Sequence, residues 1–378
     1  MPASSEKVTL SPKKISALLH DPEKSARAVH LTYVHDKQAG ISRVKQGKNF
    51  CYYIGKKKLC DKKILERIKS LVIPPAWTEV WICSKENGHL QATGFDALKR
   101  KQYRYHNRWN DFRNQTKFFR LYEFGKTIPT IRKHLEKDLA KSGLPVEKVL
   151  ATVIYLMEQT SIRVGNSAYE KLYGSFGLTT LKDNHVTVSG EKIQFIFKGK
   201  KGVAHNISLK SKKLANIIKQ CRDIPGKELF QYYDHDGNHH AIDSGMVNDY
   251  LKSITEQDFT TKDFRTWIGT VKAISALREL EIAETKAAIK QNIIAMLDSV
   301  AGHLGNTRAV CKKYYVHPII LELYESNKLQ GYFQGSNASI RSAIKKLSLA
   351  ADEKLLMHIL EKEFMKPKKE TLKKQNKH

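Results

Sequence analysis

The chain has 378 residues, enough for two domains that each bury a core, and its 41% hydrophobic and 28% charged content is globular. No apolar run approaches the about 20 residues that span a bilayer, and the N-terminal MPASSEKVTLSPKK has no apolar core behind its charges, so a soluble, cytoplasmic protein without a membrane partner is expected. Five cysteines without a CxxC pair fit neither a disulfide framework nor a zinc ribbon, and a net charge of +28 spread along the chain predicts a polyanionic partner, nucleic acid first.

Residues 1–29 are polar and weakly patterned, which predicts a mobile N-terminal arm with a short helix near Ile15 to His20. From His30 the texture is β-like: HLTYV, FCYYIGKKKLC, EVWICS and HLQATGF are short runs punctuated by Gly or Asn. Between them, KKILERIKSLVI places Ile64, Leu65, Ile68, Leu71 and Val72 at helical spacing until Pro74 and Pro75 stop it. Residues 30–112 are therefore read as a small, mostly β domain.

The segment Ala97 to Arg120 interleaves Lys99, Arg100, Lys101, Arg104 and Arg108 with Tyr103, Tyr105, Trp109 and Phe112. Cations there would neutralise phosphates while rings pack on sugars or bases. The alternative is an amphipathic element with its aromatics buried and its charges solvated. Tyr103 and Tyr105, at strand spacing, share one face, and that face is the expected DNA contact.

Residues 113–365 are read as a mainly helical catalytic domain with a β insertion. In LPVEKVLATVIYLMEQTSIRVGN, Val146, Val149, Leu150, Val153 and Met157 form one stripe, with a C-terminal stop expected at Gly165-Asn166 and Arg163 emerging at the helix end. HVTVSGEKIQFIFKGKKGVAHNISL alternates across Ser189-Gly190 and Gly199 to Gly202, which predicts a three-stranded sheet with Lys200 and Lys201 in a hairpin tip. YYDHDGNHHAID contains metal-ligand residue types at no metal-binding spacing and is read as a polar turn between helices, so no metal is assigned. DFTTKDFRTWIGTVKAISALREL predicts a helix with Thr260 or Thr261 as N-cap, Asp263 in the first turn and Arg265 there or just beyond. Residues 366–378, with six lysines and one glutamate, are expected to be a disordered basic tail.

The last informative stretch is AGHLGNTRAVCKKYYVHP, Ala301 to Pro318, which ends in the adjacent Tyr314 and Tyr315. A phenol with a reference pKa near 10 attacks phosphorus at neutral pH only if neighbouring cations stabilise the phenolate and the charge developing on phosphate. Arg163, Lys200 and Arg265 are the candidate cations.

Taken in order, these residues resemble the type IB DNA topoisomerases, specifically the compact branch of bacteria and poxviruses. The resemblance runs from about His30 to Pro318 and is carried by IPPAW (Ile73–Trp77), GHLQATG (Gly88–Gly94), KQYRYH (Lys101–His106), IRVGN (Ile162–Asn166), GLTTL (Gly177–Leu181), GKKG (Gly199–Gly202), DFRTWIGT (Asp263–Thr270) and LGNT (Leu304–Thr307). It implies an α+β chain: a mostly β N-terminal domain, then a mainly α catalytic domain of the tyrosine recombinase and topoisomerase IB type. It also implies a monomer that acts on double-stranded DNA in the nucleoid, relaxing supercoils through a 3'-phosphotyrosyl intermediate with no cofactor, ATP or metal. By position, Tyr315 matches the nucleophile, nine residues after Asn306. Arg163 and Arg265 match the arginines on the non-bridging oxygens, and Asn306 stands where poxvirus members have histidine. Lys200 matches the lysine that protonates the leaving 5' oxygen. Arg100, Tyr103, Tyr105 and Tyr169 match DNA contacts.

Arg308 stands where the family pattern has proline, Leu172-Tyr173-Gly174 also departs from that pattern, and His303 is read as structural. Two rival readings are a tyrosine recombinase, which would carry His where this chain has Lys262, and a DNA-binding protein without catalysis.

Overall fold

The structure is a computed structural model that describes residues 14, 15, 18, 21–47, 49–97, 99–234, 236–335 and 349–365. The readings of residues 1–13 and of the basic tail at 366–378 lie outside them. The chain forms two compact units whose sequence boundary falls between Arg120 and Leu121. Among the described residues no helix is long and apolar enough to cross a membrane.

The first unit is built on a six-stranded antiparallel sheet of order β3-β2-β1-β4-β5-β6. Its strands are β1 (Ile41–Gln46), β2 (Asn49–Ile54), β3 (Lys57–Lys58), β4 (Thr78–Ile82), β5 (Leu90–Phe95) and β6 (Lys101–Tyr105). The helix Lys62–Ser70 starts at Asp61, whose carboxylate accepts from Ile64 N at 3.1 Å. Its Ile68 packs with Ile41, Val80, Ile82 and Ala92 to form the core.

Two motifs of this unit prove architectural. The IPPAW loop is clamped by the Arg43 guanidinium, which donates to the carbonyls of Ile73 (3.3 Å), Pro74 (3.0 Å) and Trp77 (2.7 Å). In GHLQATG, Gln91 accepts from Arg67 at 2.8 Å and donates to Gly88 O at 2.7 Å, while His89 accepts from Val34 N at 3.1 Å and stacks on Tyr33. Burial pushes His89 down to about 4, so it stays neutral.

Three readings of this region change. HLTYV forms only an isolated bridge, Thr32 to Gly88, whereas β1 is a full strand; only Ile41 of β1 is buried, so its sequence shows no alternation. The segment read as a mobile arm contains the helix Pro22–Ala28, capped by Asp21, and its Ile15, Leu18, Ala26 and Val29 are buried. Trp109 and Phe112 are buried too, so for them the amphipathic alternative holds.

The helix Asn107–Leu139 contains the boundary between the units. The second unit is mainly helical. Its core takes Leu121, Phe124, Ile128 and Ile131 from that helix, Val149, Val153 and Met157 from the helix Val146–Thr160, and Phe264 and Trp267 from the helix Thr261–Glu279. The Asp263 carboxylate accepts from Thr260 N at 2.8 Å and Thr260 Oγ1 at 3.0 Å, closing the N-terminus as the sequence predicts. Strands β7 (Val186–Ser189), β8 (Lys192–Lys198) and β9 (Ala204–Lys210) form the expected antiparallel sheet, with Lys200–Gly202 turning at its tip.

The helix Val146–Thr160 ends earlier than the sequence predicts. Its stop is Ser161, in the left-handed region at φ 56°, rather than Gly165-Asn166. Asn166 instead caps the next helix, Ser167–Tyr173. The expected polar turn around Asp234 is the turn of a hairpin, β10 (Gln231–Tyr233) and β11 (His239–Ala241); the Asp234 carboxylate accepts from Asp236 N, Asn238 N and the His240 ring.

Candidate active site

Arg163 follows the helix end by three residues, in an extended segment fastened to GLTTL. Leu178 N donates to Arg163 O at 2.9 Å and Thr179 N to Val164 O at 2.7 Å. The contact needs glycine at 177, where a Cβ would stand 2.6 Å from Arg163 O and from Gly165 N. Gly165 itself has φ 102°, a conformation that suits glycine.

Arg265 is buried just past the first turn of its helix. Its Nη1 donates to Ser161 O, and its Nη2 to Leu304 O at 2.6 Å. Arg163 Nη2 donates to Gly305 O (3.2 Å) and to Asn306 Oδ1 (2.6 Å). Both guanidinium groups are thus held by carbonyls at the C-termini of two helices, Val146–Thr160 and Lys286–Leu304, whose caps Ser161 and Gly305 are left-handed. Helix C-termini carry unpaired carbonyls and the negative end of the macrodipole, which offsets the cost of desolvating two neighbouring cations. Burial, then the neighbouring Arg265, pulls Arg163 down to about 10, which leaves it charged at neutral pH. Two donors in this group, Arg265 Nε and Asn306 Nδ2, are buried with no hydrogen-bond partner. An unmet buried donor costs about 1–3 kcal/mol, more for a charged group, and an anionic acceptor reaching it would recover that cost.

Tyr315 closes the helix Arg308–Tyr314, with its ring centroid 5.3 Å from Arg265 Cζ. Its backbone is held by Thr270, whose Oγ1 shares its proton between Thr266 O (2.9 Å) and Tyr315 O (3.0 Å) and accepts from His317 N at 3.2 Å. A cavity of 490 Å³ is lined by Arg163, Tyr169, Lys200, Arg265, Tyr314 and Tyr315, among others. Lys200 is exposed as a whole residue, but its Nζ lies 5.6 Å from the Tyr169 ring centroid. There burial, then Arg163, lowers its pKa.

The structure therefore gathers Arg163, Lys200, Arg265, Asn306, Tyr315 and Tyr169 around one site in the second unit. Arg100, Tyr103 and Tyr105 belong to the first. There Arg100 pairs with Asp96 through Nε (2.9 Å) and Nη2 (2.7 Å). Tyr103 and Tyr105 stack at 5.9 Å on one face of β6, with Tyr103 48% exposed.

Sequence reasoning did not single out Gly269 and His205, which the structure brings into close approach with Tyr315 and with Gly199 and Gly305, or Thr270, which hydrogen-bonds the Tyr315 backbone. Arg308 Nε pairs with Asp298 at 2.7 Å, both half-exposed, which ties the start of the tyrosine helix to Lys286–Leu304. His303 Nε2 lies 3.0 Å from Ser161 Oγ, a structural link between the two helix ends.

The family described as eukaryotic DNA topoisomerase I, catalytic core, matches residues 101–337. The chain belongs to the type IB DNA topoisomerases. The bacterial DNA topoisomerase IB N-terminal domain matches residues 49–96. DNA topoisomerase 1B of Acanthamoeba polyphaga mimivirus is 35% identical over 296 residues, covering 76% of this chain and 88% of that protein. DNA topoisomerase 1B of vaccinia virus (strain Copenhagen) is 25% identical over 272 residues, 70% and 82% of the two chains. DNA topoisomerase 1 of Schizosaccharomyces pombe is 27% identical over 155 residues, 40% of this chain and 18% of that one. Membership in the type IB topoisomerases removes the tyrosine recombinase reading.

Proposed function

We propose that this chain relaxes positively and negatively supercoiled double-stranded DNA by transient cleavage of one strand, as a monomer working in the nucleoid. Tyr315 Oη attacks the scissile phosphorus, and a 3'-phosphotyrosyl bond forms as the bond from phosphorus to the 5' oxygen breaks. The phenolic proton leaves to water while Lys200 gives a proton to the departing 5' oxygen and is later reprotonated. Arg163, Arg265 and the Asn306 amide hold the non-bridging oxygens, where charge grows in the transition state. Fixed cations at those oxygens and a proton donor at the leaving group meet the electrostatic demand without ATP or a metal. The phosphotyrosine keeps the bond energy, so the freed 5' hydroxyl can reverse the attack.

The observation that carries this reading is a buried, unpartnered donor on each of two residues, Arg265 Nε, which lines the same cavity as Tyr315 and Lys200, and Asn306 Nδ2, on the amide whose oxygen holds Arg163. In the same reading the second unit has the catalytic fold shared with tyrosine recombinases. Tyr169 contacts DNA beside the site, and Arg100, Tyr103 and Tyr105 contact it from the β-rich domain at residues 30–112. Relaxation of a supercoiled plasmid in EDTA without ATP, lost in Tyr315→Phe together with the covalent DNA adduct, is the expected result. A protein that binds the plasmid but neither relaxes it nor forms an adduct would be a DNA-binding protein only.

A further inference from the structure

Lys200 sits at the tip of the β8–β9 hairpin, Asn306 sits in the turn after Lys286–Leu304, and one half-buried side chain stands between the roots of these two loops. His205 pairs across the strands with Phe197 and stacks on its ring at 4.8 Å with an interplanar angle of 16°. On one side, a Cβ on Gly199, the residue before Lys200, would stand 2.6 Å from His205 Nε2. On the other, a Cβ on Gly305, the residue before Asn306, would stand 2.9 Å from His205 Cε1. Both loops therefore use glycine to let the imidazole in.

The two loops differ in how firmly they are held otherwise. The Gly305 turn is anchored by Arg163 on its carbonyl and by Asn306 N donating to Ala301 O at 3.0 Å. The hairpin tip has its own short-range bonds, Gly199 N to Val203 O and Gly202 N to Gly199 O, and two successive left-handed residues, Lys201 at φ 63° and Gly202 at φ 74°. At its root the hairpin is tied to the rest of the unit by Phe176 N donating to Lys198 O at 2.8 Å, but the backbone bonds of the tip itself are local, so a wedge between the two loops bears on the tip. The ring is also suited to this place electrically. Burial, then Arg163 and Arg265, lowers its pKa, so it adds no further positive charge at neutral pH.

We propose that His205 is a positioning residue for strand cleavage, a strut that holds the Lys200 tip at its working distance from the turn carrying Asn306. The proposal rests on the reading of Lys200 as the proton donor to the leaving oxygen. A displacement of about 1 Å in a catalytic group can cost on the order of 100-fold in rate, which sets the effect to look for.

The test is single-turnover cleavage of a duplex carrying a site first mapped with the wild-type protein, made once with the ordinary 5' bridging oxygen and once with sulfur. A thiolate leaves without a proton, so only defects in proton donation are relieved. We expect Lys200→Ala and His205→Ala both to cleave the oxygen substrate slowly, His205→Ala by roughly 10- to 100-fold. On the sulfur substrate both should come close to wild type. His205→Phe, which keeps a flat ring in the wedge, should retain most of the activity, and DNA affinity should be unchanged in all three. If sulfur rescues Lys200→Ala but not His205→Ala, the ring supports the whole site and this proposal fails alone. If sulfur rescues neither, the assignment of Lys200 as the acid fails and takes the proposal with it. Wild-type cleavage of the oxygen substrate by His205→Ala overturns it directly.

Discussion

Gly269 lies so close to Tyr315 that a Cβ at that position would stand 2.8 Å from the Tyr315 carbonyl oxygen and 3.1 Å from the Tyr315 Cβ. The glycine is inside the helix Thr261–Glu279, where alanine would be favoured by about 1 kcal/mol on helix propensity alone. Gly269→Ala should therefore leave folding stability nearly unchanged while pushing the Tyr315 segment outward. The expected outcome is normal DNA affinity with covalent adduct formation slowed by on the order of 10- to 100-fold, read in single-turnover cleavage. A variant that cleaves at the wild-type rate would show that the segment has slack.

The adjacent tyrosines give a second prediction. Tyr314 and Tyr315 both line the cavity, but it is the Tyr315 ring that lies against the Arg265 guanidinium. Tyr315→Phe should abolish adduct formation and keep DNA binding, which depends on many cationic contacts, and Tyr314→Phe should stay active. The reverse pattern in a gel assay for covalent DNA would move the nucleophile by one residue.

Much of this site could be read from residue order, and what could not has a physical reason. The sheet of β7, β8 and β9 alternates cleanly, with Ile193, Phe195 and Phe197 buried on one face of β8, so Lys200 falls at its tip on sequence evidence alone. The stop at Ser161 was invisible because serine carries no left-handed signal. That carbonyl is presented to Arg265, a partner 104 residues away. The Asn306 contact to Arg163 spans 143 residues in the same way. Gly199, Gly269 and Gly305 read locally as turn or helix residues, yet each is required by a side chain or backbone from another element.

Asn306 offers a test with an uncommon sign. Its Oδ1 accepts from Arg163, so its Nδ2 is the donor left for an incoming oxygen. Asn306→Ala loses one neutral hydrogen bond and should be milder than loss of Arg163 or Arg265, whose charge-assisted bonds are about twice as strong. Asn306→Asp keeps the acceptor for Arg163 but turns the donor into a negative oxygen, which in the proposed mechanism would face the phosphate. It should be slower than Asn306→Ala, and Asn306→His, which keeps a donor, should remain active. Cleavage rates ranked in another order would reject this orientation of the amide.

Lys200 makes the pH dependence predictable. Burial and Arg163 hold its pKa below the ordinary 10.5, and the proton donor proposed here works only while protonated, so cleavage should fall as pH rises through that lowered value. The falling limb should disappear with a 5' bridging sulfur, which needs no proton. A limb that persists unchanged with sulfur would belong to another group.

The helix Ala351–Ile359 lies beyond the family match, which ends at residue 337, yet it reaches the Arg265 helix through one carboxylate. Glu353 accepts from Trp267 Nε1 at 3.0 Å, from Arg132 Nη2 at 2.8 Å and from Ala350 N at 2.9 Å, and Arg132 also holds Glu158. Burial would raise the Glu353 pKa, but the hydrogen bonds from Arg132, Trp267 and Ala350 outweigh it and the value is lowered from the ordinary 4.5. A lowered carboxylate stabilises the fold above 4.5, and that contribution is lost as pH falls through the folded value. Glu158 runs the other way, because burial raises its pKa above the ordinary 4.5 despite Arg132. The wild-type slope therefore mixes two opposing contributions, and a comparison of variants separates them. Glu353→Gln should cost about 1–3 kcal/mol near pH 7, and the gap to wild type should narrow as pH drops below 4.5. Urea unfolding at both pH values measures it. A gap that stays constant would mean that the carboxylate acts through shape rather than charge.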